Sequence, residues 1–417
     1  MAASPTQRNP LEEELTVADD PKHAAPRHIY EREPADYGLF IQIVRSVFIV
    51  SWFLCCCTAI LATQAIGLPL LFYSPASFKA WISMTKRAFG ITITALTEWC
   101  SPTPVRISGD PSVLGQFRLK ANGRLQSLFP ERLVLIANHQ VYTDWLYLWW
   151  VAYTNQMHGY IFIILKESLK YIPVIGQGMM LYGFIFMSRK WSADKPRLQH
   201  SLEKLNRKRD NPTPGMPFFD PMWLLIFPEG TNLSKNTKRI SDAYGNKQNI
   251  RNFQHQLIPR TTGLFFCLQQ LRGTVDWVYD CTMGYEGPGK GNYPDAYFTI
   301  RSTYLRGCPP RVVNFYWRRF AISDIPLEDQ QAFEAWLFKR WEEKDALLTR
   351  FTETGRFPPF EETEKTGDNL SHQPTKGNNP GYLESEVRLG YWFEVTKVFS
   401  TLFLACMAIK WLQSLWN

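Results

Sequence analysis

An α/β domain with a mostly parallel sheet flanked by helices is what the sequence predicts, preceded by N-terminal membrane helices and closed by a C-terminal hydrophobic anchor. Three observations predict it. Through the middle of the chain, short apolar runs of strand length alternate with stretches of helix length. Several of those runs end in a polar or glycine-bearing turn that leads onward, the arrangement by which open α/β sheets gather ligand groups at the carboxyl ends of strands. Outside that middle, at both ends, lie apolar stretches long enough to cross a bilayer.

Taken in order, residues 1–37 are rich in Pro, Ala and charge, with Glu12-Glu13-Glu14 and Asp19-Asp20, and read as a disordered tail. Residues 38–100 read as membrane-embedded and interfacial helices. Gly38 to Tyr73 is almost continuously apolar, interrupted by Arg45, and Ser46 to Leu68 is long enough to span a bilayer. It starts too far into the chain, without a basic leader or small-residue cleavage site, to be a cleavable signal. Pro69 and Pro75 then break the run. Phe78 to Trp99 interleaves Trp81, Ile82, Phe89, Ile93 and Trp99 with Lys79, Lys86 and Arg87, a mixture that suits a helix in the headgroup layer or a second, shallow membrane helix.

The body, residues 101–351, carries candidate strands at Val105–Ser108, Leu133–Ala137, Tyr160–Leu165, Phe184–Ser188, Trp223–Phe227, Val275–Met283 and Val312–Trp317. Candidate helices between them are Asp144–Tyr153, Asp194–Lys208, Thr261–Arg272 and Leu327–Leu348. Residues 352–390, dense in Gly, Pro, Asn and charge, read as a linker. Residues 391–417 end in an apolar centre, Val398 to Ile409, between Lys397 and Lys410, which can snorkel, with Trp411 and Trp416 suited to an interface.

Composition narrows the partner. Of 417 residues, 45% are hydrophobic and 15% aromatic, more than a soluble enzyme needs, and membrane contact is the first explanation. The formal charge of +8 favours an anionic partner. With no nucleic-acid module to be seen, that partner is a lipid surface and not nucleic acid. The 8 cysteines show neither disulfide nor metal spacing, which fits a reducing or membrane environment, and no metal site is expected.

The chemistry centres on Arg132 to Trp145, RLVLIANHQVYTDW. His139 and Asp144 stand where a buried strand ends and a helix begins. A neutral imidazole can take a proton from a hydroxyl while a carboxylate fixes its tautomer and stabilises the imidazolium. Three further stretches share the strand-end placement. GFIFMSR delivers Arg189, whose fork can clamp a phosphate. FPEGT brings Glu229, Gly230 and Thr231 to a tight turn, where Glu229 can bind a substrate hydroxyl or orient a neighbouring base. LIPRTTG puts Pro259 and Arg260 ahead of a helix, where an anion can meet both a cation and free backbone N–H groups.

The ordered set, Asn-His with Asp five positions after the His, then GFIFMSR, FPEGT, PRTTG and VYDCTMGY, resembles the four-block pattern of the glycerophospholipid acyltransferases over roughly Ser101 to Trp317. KESLKYIPVIGQGMMLYGFIFMSRKW, residues 166–191, extends the likeness to the branch of lysocardiolipin, lysophosphatidylinositol and lysophosphatidic acid acyltransferases. The resemblance implies the glycerolipid acyltransferase fold, His139 as general base, Asp144 as its orienter, and Arg189 on the acceptor phosphate. It puts Glu229, Gly230 and Thr231 in the acceptor site, with Pro259 and Arg260 in the last block. It implies no metal and no bound cofactor, with acyl-CoA as co-substrate and a lysophospholipid and the membrane as partners. The endoplasmic reticulum membrane is the expected location, the outer mitochondrial membrane the second choice, with the site at the cytosolic face. One departure stands out: many members have Arg after FPEGT, where this chain has Asn232. That favours an acceptor with a larger headgroup than lysophosphatidic acid, although Arg260, Lys235 or Lys238 could supply the cation instead. Two other readings share these residues, a CoA-independent phospholipid transacylase of the tafazzin kind and a catalytically inactive lipid-binding scaffold.

Overall fold

The computed structural model describes residues 33–209, 218–288, 291–360 and 381–416. Its strands, in chain order, are β1 (Pro104–Gly109), β2 (Phe117–Leu119), β3 (Leu125–Ser127), β4 (Arg132–Ala137), β5 (Ile161–Lys166) and β6 (Ile185–Met187). They continue as β7 (Lys208–Arg209), β8 (Phe218–Phe219), β9 (Met222–Ile226), β10 (Trp277–Tyr285), β11 (Val313–Ala321) and β12 (Leu383–Glu386). Eight of them form one sheet in the order β12-β1-β11-β10-β4-β9-β5-β6, with β2-β3 and β7-β8 as small hairpins. From β10 through β4, β9 and β5 to β6 every pairing is parallel. On the other side β11 is antiparallel to β10, β1 is parallel to β11, and β12 closes that edge antiparallel to β1. The sheet is therefore mostly parallel, as the alternating pattern predicts.

The central strand shows why. Leu133 to Ala137 has no exposed surface at all, which is what a strand covered on both faces requires and why its sequence is a continuous apolar run without alternation. Leu133, Leu135 and Ala137 join one core with Trp149, Trp223 and Tyr279. Val134 and Ile136 point the other way, into a core with Phe265, Phe333 and Trp341.

All seven expected strands are present, with ends shifted by a few residues. The stretch read as a linker is different. Within residues 352–390 the chain adds β12 to the sheet edge and buries Val387 and Leu389, while residues 361–380 lie outside the described ones. β12 is Leu-Glu-Ser-Glu, four residues with no apolar alternation to mark them. The helix Lys235–Gln248 was not expected either. It is polar nearly throughout, and its start is fixed by a capping box between Ser234 and Thr237. Of the N-terminal tail, residues 1–32 lie outside the described ones, while the Ala35 and Tyr37 N–H groups bond to the carbonyls of Gly307 and Arg306.

Two helices, Leu39–Tyr73 and Trp392–Trp411, are long and apolar enough to cross a membrane. The helix Pro75–Cys100, expected in the headgroup layer or as a second, shallow membrane helix, is largely buried: Phe89 packs on Trp145, Trp149 and Tyr182, and Thr85, Thr92, Thr94 and Thr97 are all enclosed. Several of its polar side chains are satisfied within the protein. The last three threonine hydroxyls donate to the carbonyl four residues back. Lys86 Nζ donates to the Ile161 carbonyl at 3.0 Å and lies 3.7 Å from the centre of the Phe162 ring.

Candidate active site

Because β4, β9, β6 and β10 run the same way, the turns after them meet at one end of the sheet. His139 follows β4, Arg189 follows β6, Glu229 and Gly230 follow β9, and Tyr285 ends β10. The sequence blocks converge there.

His139 Nδ1 lies 2.7 Å from Asp144 Oδ2, and the carboxylate is fully buried while the ring keeps some exposure. Asp144 sits in the first turn of the helix Asp144–Thr154, where the helix dipole favours its negative charge. It accepts two more hydrogen bonds, from the Val141 N–H at 3.0 Å and from the Tyr285 hydroxyl. Burial, and then the Asp144 charge, push the Tyr285 phenol well above its ordinary pKa, so it stays a donor. The carboxylate therefore has three donors and one orientation. On its open side the His139 ring stacks on Phe227, centroids 4.3 Å apart.

The backbone of His139 is clamped as firmly as its ring. Its N–H donates to Glu229 Oε1 at 3.0 Å, and its carbonyl accepts from the Leu233 N–H at 2.7 Å. Glu229 Oε2 accepts from the Leu257 N–H at 3.2 Å. Both oxygens of this buried carboxylate thus bond to the chain itself, tying the FPEGT turn to the His139 loop and the LIPRTTG stretch. Burial pushes the Glu229 carboxyl up to about 8, against the two backbone N–H bonds and the Lys344 charge, which draw it down. Just before His139, Asn138 bonds with both ends of its amide to the Met283 backbone, at 3.0 and 2.8 Å, extending the β4–β10 pairing past the last strand residue.

Beside this pair lies a cationic corner. Arg189, exposed and in the left-handed region at φ +69°, donates to the Gly230 carbonyl at 2.9 Å. Gly230 is also left-handed, at φ +73°, and a Cβ there would come within 3.1 Å of Arg260 Nε. Glycine is favoured here by the conformation, and a Cβ would also crowd the Arg260 guanidinium. Arg260 is exposed, its N–H bonds to the Pro228 carbonyl, and it precedes the helix Thr261–Leu271. Pro259 is buried behind it, and Thr231 is half-buried on the same turn as Gly230. Two guanidiniums and the start of a helix therefore meet at Gly230, a combination of groups that suits an anion.

Sequence reasoning missed four residues that this geometry brings in. Asn138 and Tyr285 were quoted in their blocks without a role, and only the β4–β10 register, Ala137 beside Cys281, shows that they support His139 and Asp144. Asp295 bonds to Asn232 at 2.7 Å near the same end. Lys344, fully buried, pairs with Asp280 at 2.6 Å and donates to the Cys281 carbonyl at 2.8 Å beneath the site. Among the described residues no group of three or more His, Cys, Asp or Glu is arranged to hold a metal.

An acyltransferase family matches residues 120–286, and an acyltransferase C-terminal family matches residues 303–376. The chain is 38% identical to the 2-acyl-1-lysophosphatidylinositol acyltransferase of Saccharomyces cerevisiae, over 68% of this chain and 78% of the relative. It is 33% identical to lysocardiolipin acyltransferase 1 of Gallus gallus, over 71% and 69%. Lysophosphatidylinositol acyltransferase 10 of Caenorhabditis elegans is 29% identical, over 69% and 66%.

Proposed function

The chain belongs to the glycerophospholipid acyltransferase family and is an acyltransferase, and from that premise we propose that it moves a fatty acyl group from acyl-CoA to a free glycerol hydroxyl of a lysophospholipid at a membrane. The observation that carries this reading is the buried three-donor Asp144 holding His139 beside the Arg189–Gly230–Arg260 corner. An imidazole paired with a carboxylate next to two guanidiniums supports it, because a phosphorylated alcohol acceptor calls for a base and a phosphate clamp together.

With Nδ1–H donating to Asp144, Nε2 is the basic nitrogen of His139. It takes the proton of the acceptor hydroxyl as the oxygen attacks the thioester carbonyl carbon of acyl-CoA. The C=O electrons move onto oxygen, giving a tetrahedral oxyanion. Its collapse breaks the C–S bond and leaves the ester, and the imidazolium returns the proton to the departing CoA thiolate. Asp144 stabilises the imidazolium between the two transfers. Arg189 and Arg260 hold the acceptor phosphate, with Gly230 and Thr231 shaping the turn between them. Pro259 sets the start of the last block. Glu229 positions the His139 backbone. No step calls for a metal or a bound cofactor. The apolar helices Leu39–Tyr73 and Trp392–Trp411 support a membrane seat, where both amphiphilic substrates reside. The endoplasmic reticulum is the first location to examine and the outer mitochondrial membrane the second, with the site facing cytosolic acyl-CoA.

The test is transfer from labelled oleoyl-CoA by the purified full-length chain and its His139→Ala variant. The acceptors are lysophosphatidylinositol, lysocardiolipin, lysophosphatidic acid and lysophosphatidylcholine. Loss of the base should lower the rate about 10²- to 10⁴-fold in a folded variant. Full activity without His139 would remove the assignment. Equal transfer from a phospholipid donor with no thioester present would favour the transacylase instead.

A further inference from the structure

Asp295 lies in the short helix Pro294–Tyr297, on which no sequence motif fell. Two tethers bring it to the mouth of the site. Asn232 Nδ2 donates to Asp295 Oδ1 at 2.7 Å, and the next residue, Leu233, donates its N–H to the His139 carbonyl at 2.7 Å. From the other direction Phe298 packs on the Tyr285 ring, centroids 5.8 Å apart, and the Tyr285 hydroxyl bonds to Asp144. Burial raises the Asp295 carboxyl, while the Asn232 bond and the charge of His139 draw it down.

The chemistry of this carboxylate is the reverse of the corner formed by Arg189 and Arg260. The guanidiniums suit phosphate oxygens; an ionised carboxylate only accepts, so it suits hydroxyl donors and repels a second anion. A phosphomonoester carries about −1.5 to −2 charge near neutral pH. A phosphodiester carries a single charge and frees the next position for a headgroup. Asn232 brings no cation to the turn after Thr231, and it spends its amide on holding Asp295.

We propose that the Asn232–Asp295 pair sets acceptor specificity, taking a headgroup hydroxyl and selecting lysophospholipids whose phosphate is a diester to a hydroxyl-bearing group over those that end in a phosphomonoester. This rests on the acyl-transfer reading above. The Asp295 oxygens meet the headgroup while the two arginines hold the phosphate and His139 meets the glycerol hydroxyl.

The test compares kcat/KM for lysophosphatidylinositol and lysophosphatidic acid carrying the same acyl chain, with oleoyl-CoA as donor and the full-length chain in detergent. The wild type should favour the inositol lipid. Asp295→Asn should lower the ratio about tenfold or more, the loss expected for one hydrogen bond to a charged group. Asn232→Arg should lower it as well, through better use of the monoester. A ratio unmoved in both variants, or a wild-type preference for lysophosphatidic acid, would overturn the proposal. Equal losses on both acceptors would make Asp295 a support of His139 and overturn it too. Wild-type transfer to neither lipid would instead remove the acyl-transfer reading, and this inference with it.

Discussion

Asp144 is a buried acceptor, and three donors fix where its two oxygens lie. Two of them belong to its own turn and only Tyr285 comes from elsewhere in the chain. On the mechanism proposed above, we predict that Tyr285→Phe keeps the fold and lowers kcat about ten- to hundredfold, with KM for both substrates nearly unchanged, because the buried hydrogen bond that holds Asp144 from β10 is lost. Steady-state kinetics checks it, and a rise in KM with kcat intact would place Tyr285 in substrate binding. Glu229 gives a prediction in pH. Its carboxyl sits at about 8 in the fold, against an ordinary 4.5, so the folded protein holds this proton more tightly than the unfolded chain does. Its contribution to stability therefore falls as pH rises from about 4.5 to about 8, where ionising a buried carboxyl becomes a growing cost. Glu229→Gln should flatten that part of the melting temperature against pH while lowering activity, since one of the two backbone N–H groups then faces an amide NH2. A curve as steep as the wild type's would assign the slope to other groups. At this scale His139, Asp144 and Arg189 could be picked out in sequence as candidates, because each stands just after a strand or at the helix start that follows one. Tyr285 and Asn138 could not, since their roles depend on which strand lies beside β4.

The element that decides the geometry is the β4–β10 pair. β4 ends at Ala137, yet Asn138 continues the pairing with its side chain, donating to the Met283 carbonyl and accepting from the Met283 N–H. The chain can thus leave the sheet at His139 without abandoning two buried backbone groups. Asn138→Ala should strand both, at about 1–3 kcal/mol for each buried group left unpaired. A thermal shift in detergent should show a clearly lower melting temperature, and activity should fall as the His139 loop loses its anchor. Asn138→Asp should restore only the acceptor half, and a variant as stable as wild type would mean the loop holds without the clamp. The strands of this sheet were readable because parallel strands covered on both faces are continuous apolar runs. β12 was not, because a short edge strand rich in Glu and Ser carries no such mark. The helix Lys235–Gln248 escaped for the same reason, its only signal being the cap at Ser234.

At the scale of the whole molecule, composition announced apolar ends but not how each is built in. The C-terminal helix Lys397–Trp416 contributes Val398 to the core and leaves Phe403, Leu404 and Trp411 exposed. Removing residues 397–417 should therefore leave a folded, active enzyme in detergent while weakening its retention in membranes washed with carbonate. The N-terminal segment is the opposite case. Lys86 and Phe89 of the helix Pro75–Cys100 look interfacial in sequence, yet this helix closes the layer over Trp145, Trp149, Tyr182 and Phe184. Four aromatic side chains of about 150–250 Å² each, at about 25 cal/mol per Å², represent on the order of 15–25 kcal/mol of burial, an upper bound. If the helix covers even a third of that surface, its loss costs about 5–8 kcal/mol, comparable with the whole stability of a typical domain, about 5–15 kcal/mol. A chain beginning at Ser101 would keep every motif residue and still lack a closed core. It should come out of cells aggregated, or soluble only in detergent and without a cooperative melt, whereas a chain beginning at Ala35 should fold and transfer acyl groups. Gel filtration and thermal unfolding of the two side by side decide it. A monodisperse, cooperatively melting product from Ser101 would mean that the helix is an appendage of the catalytic layer and not part of it.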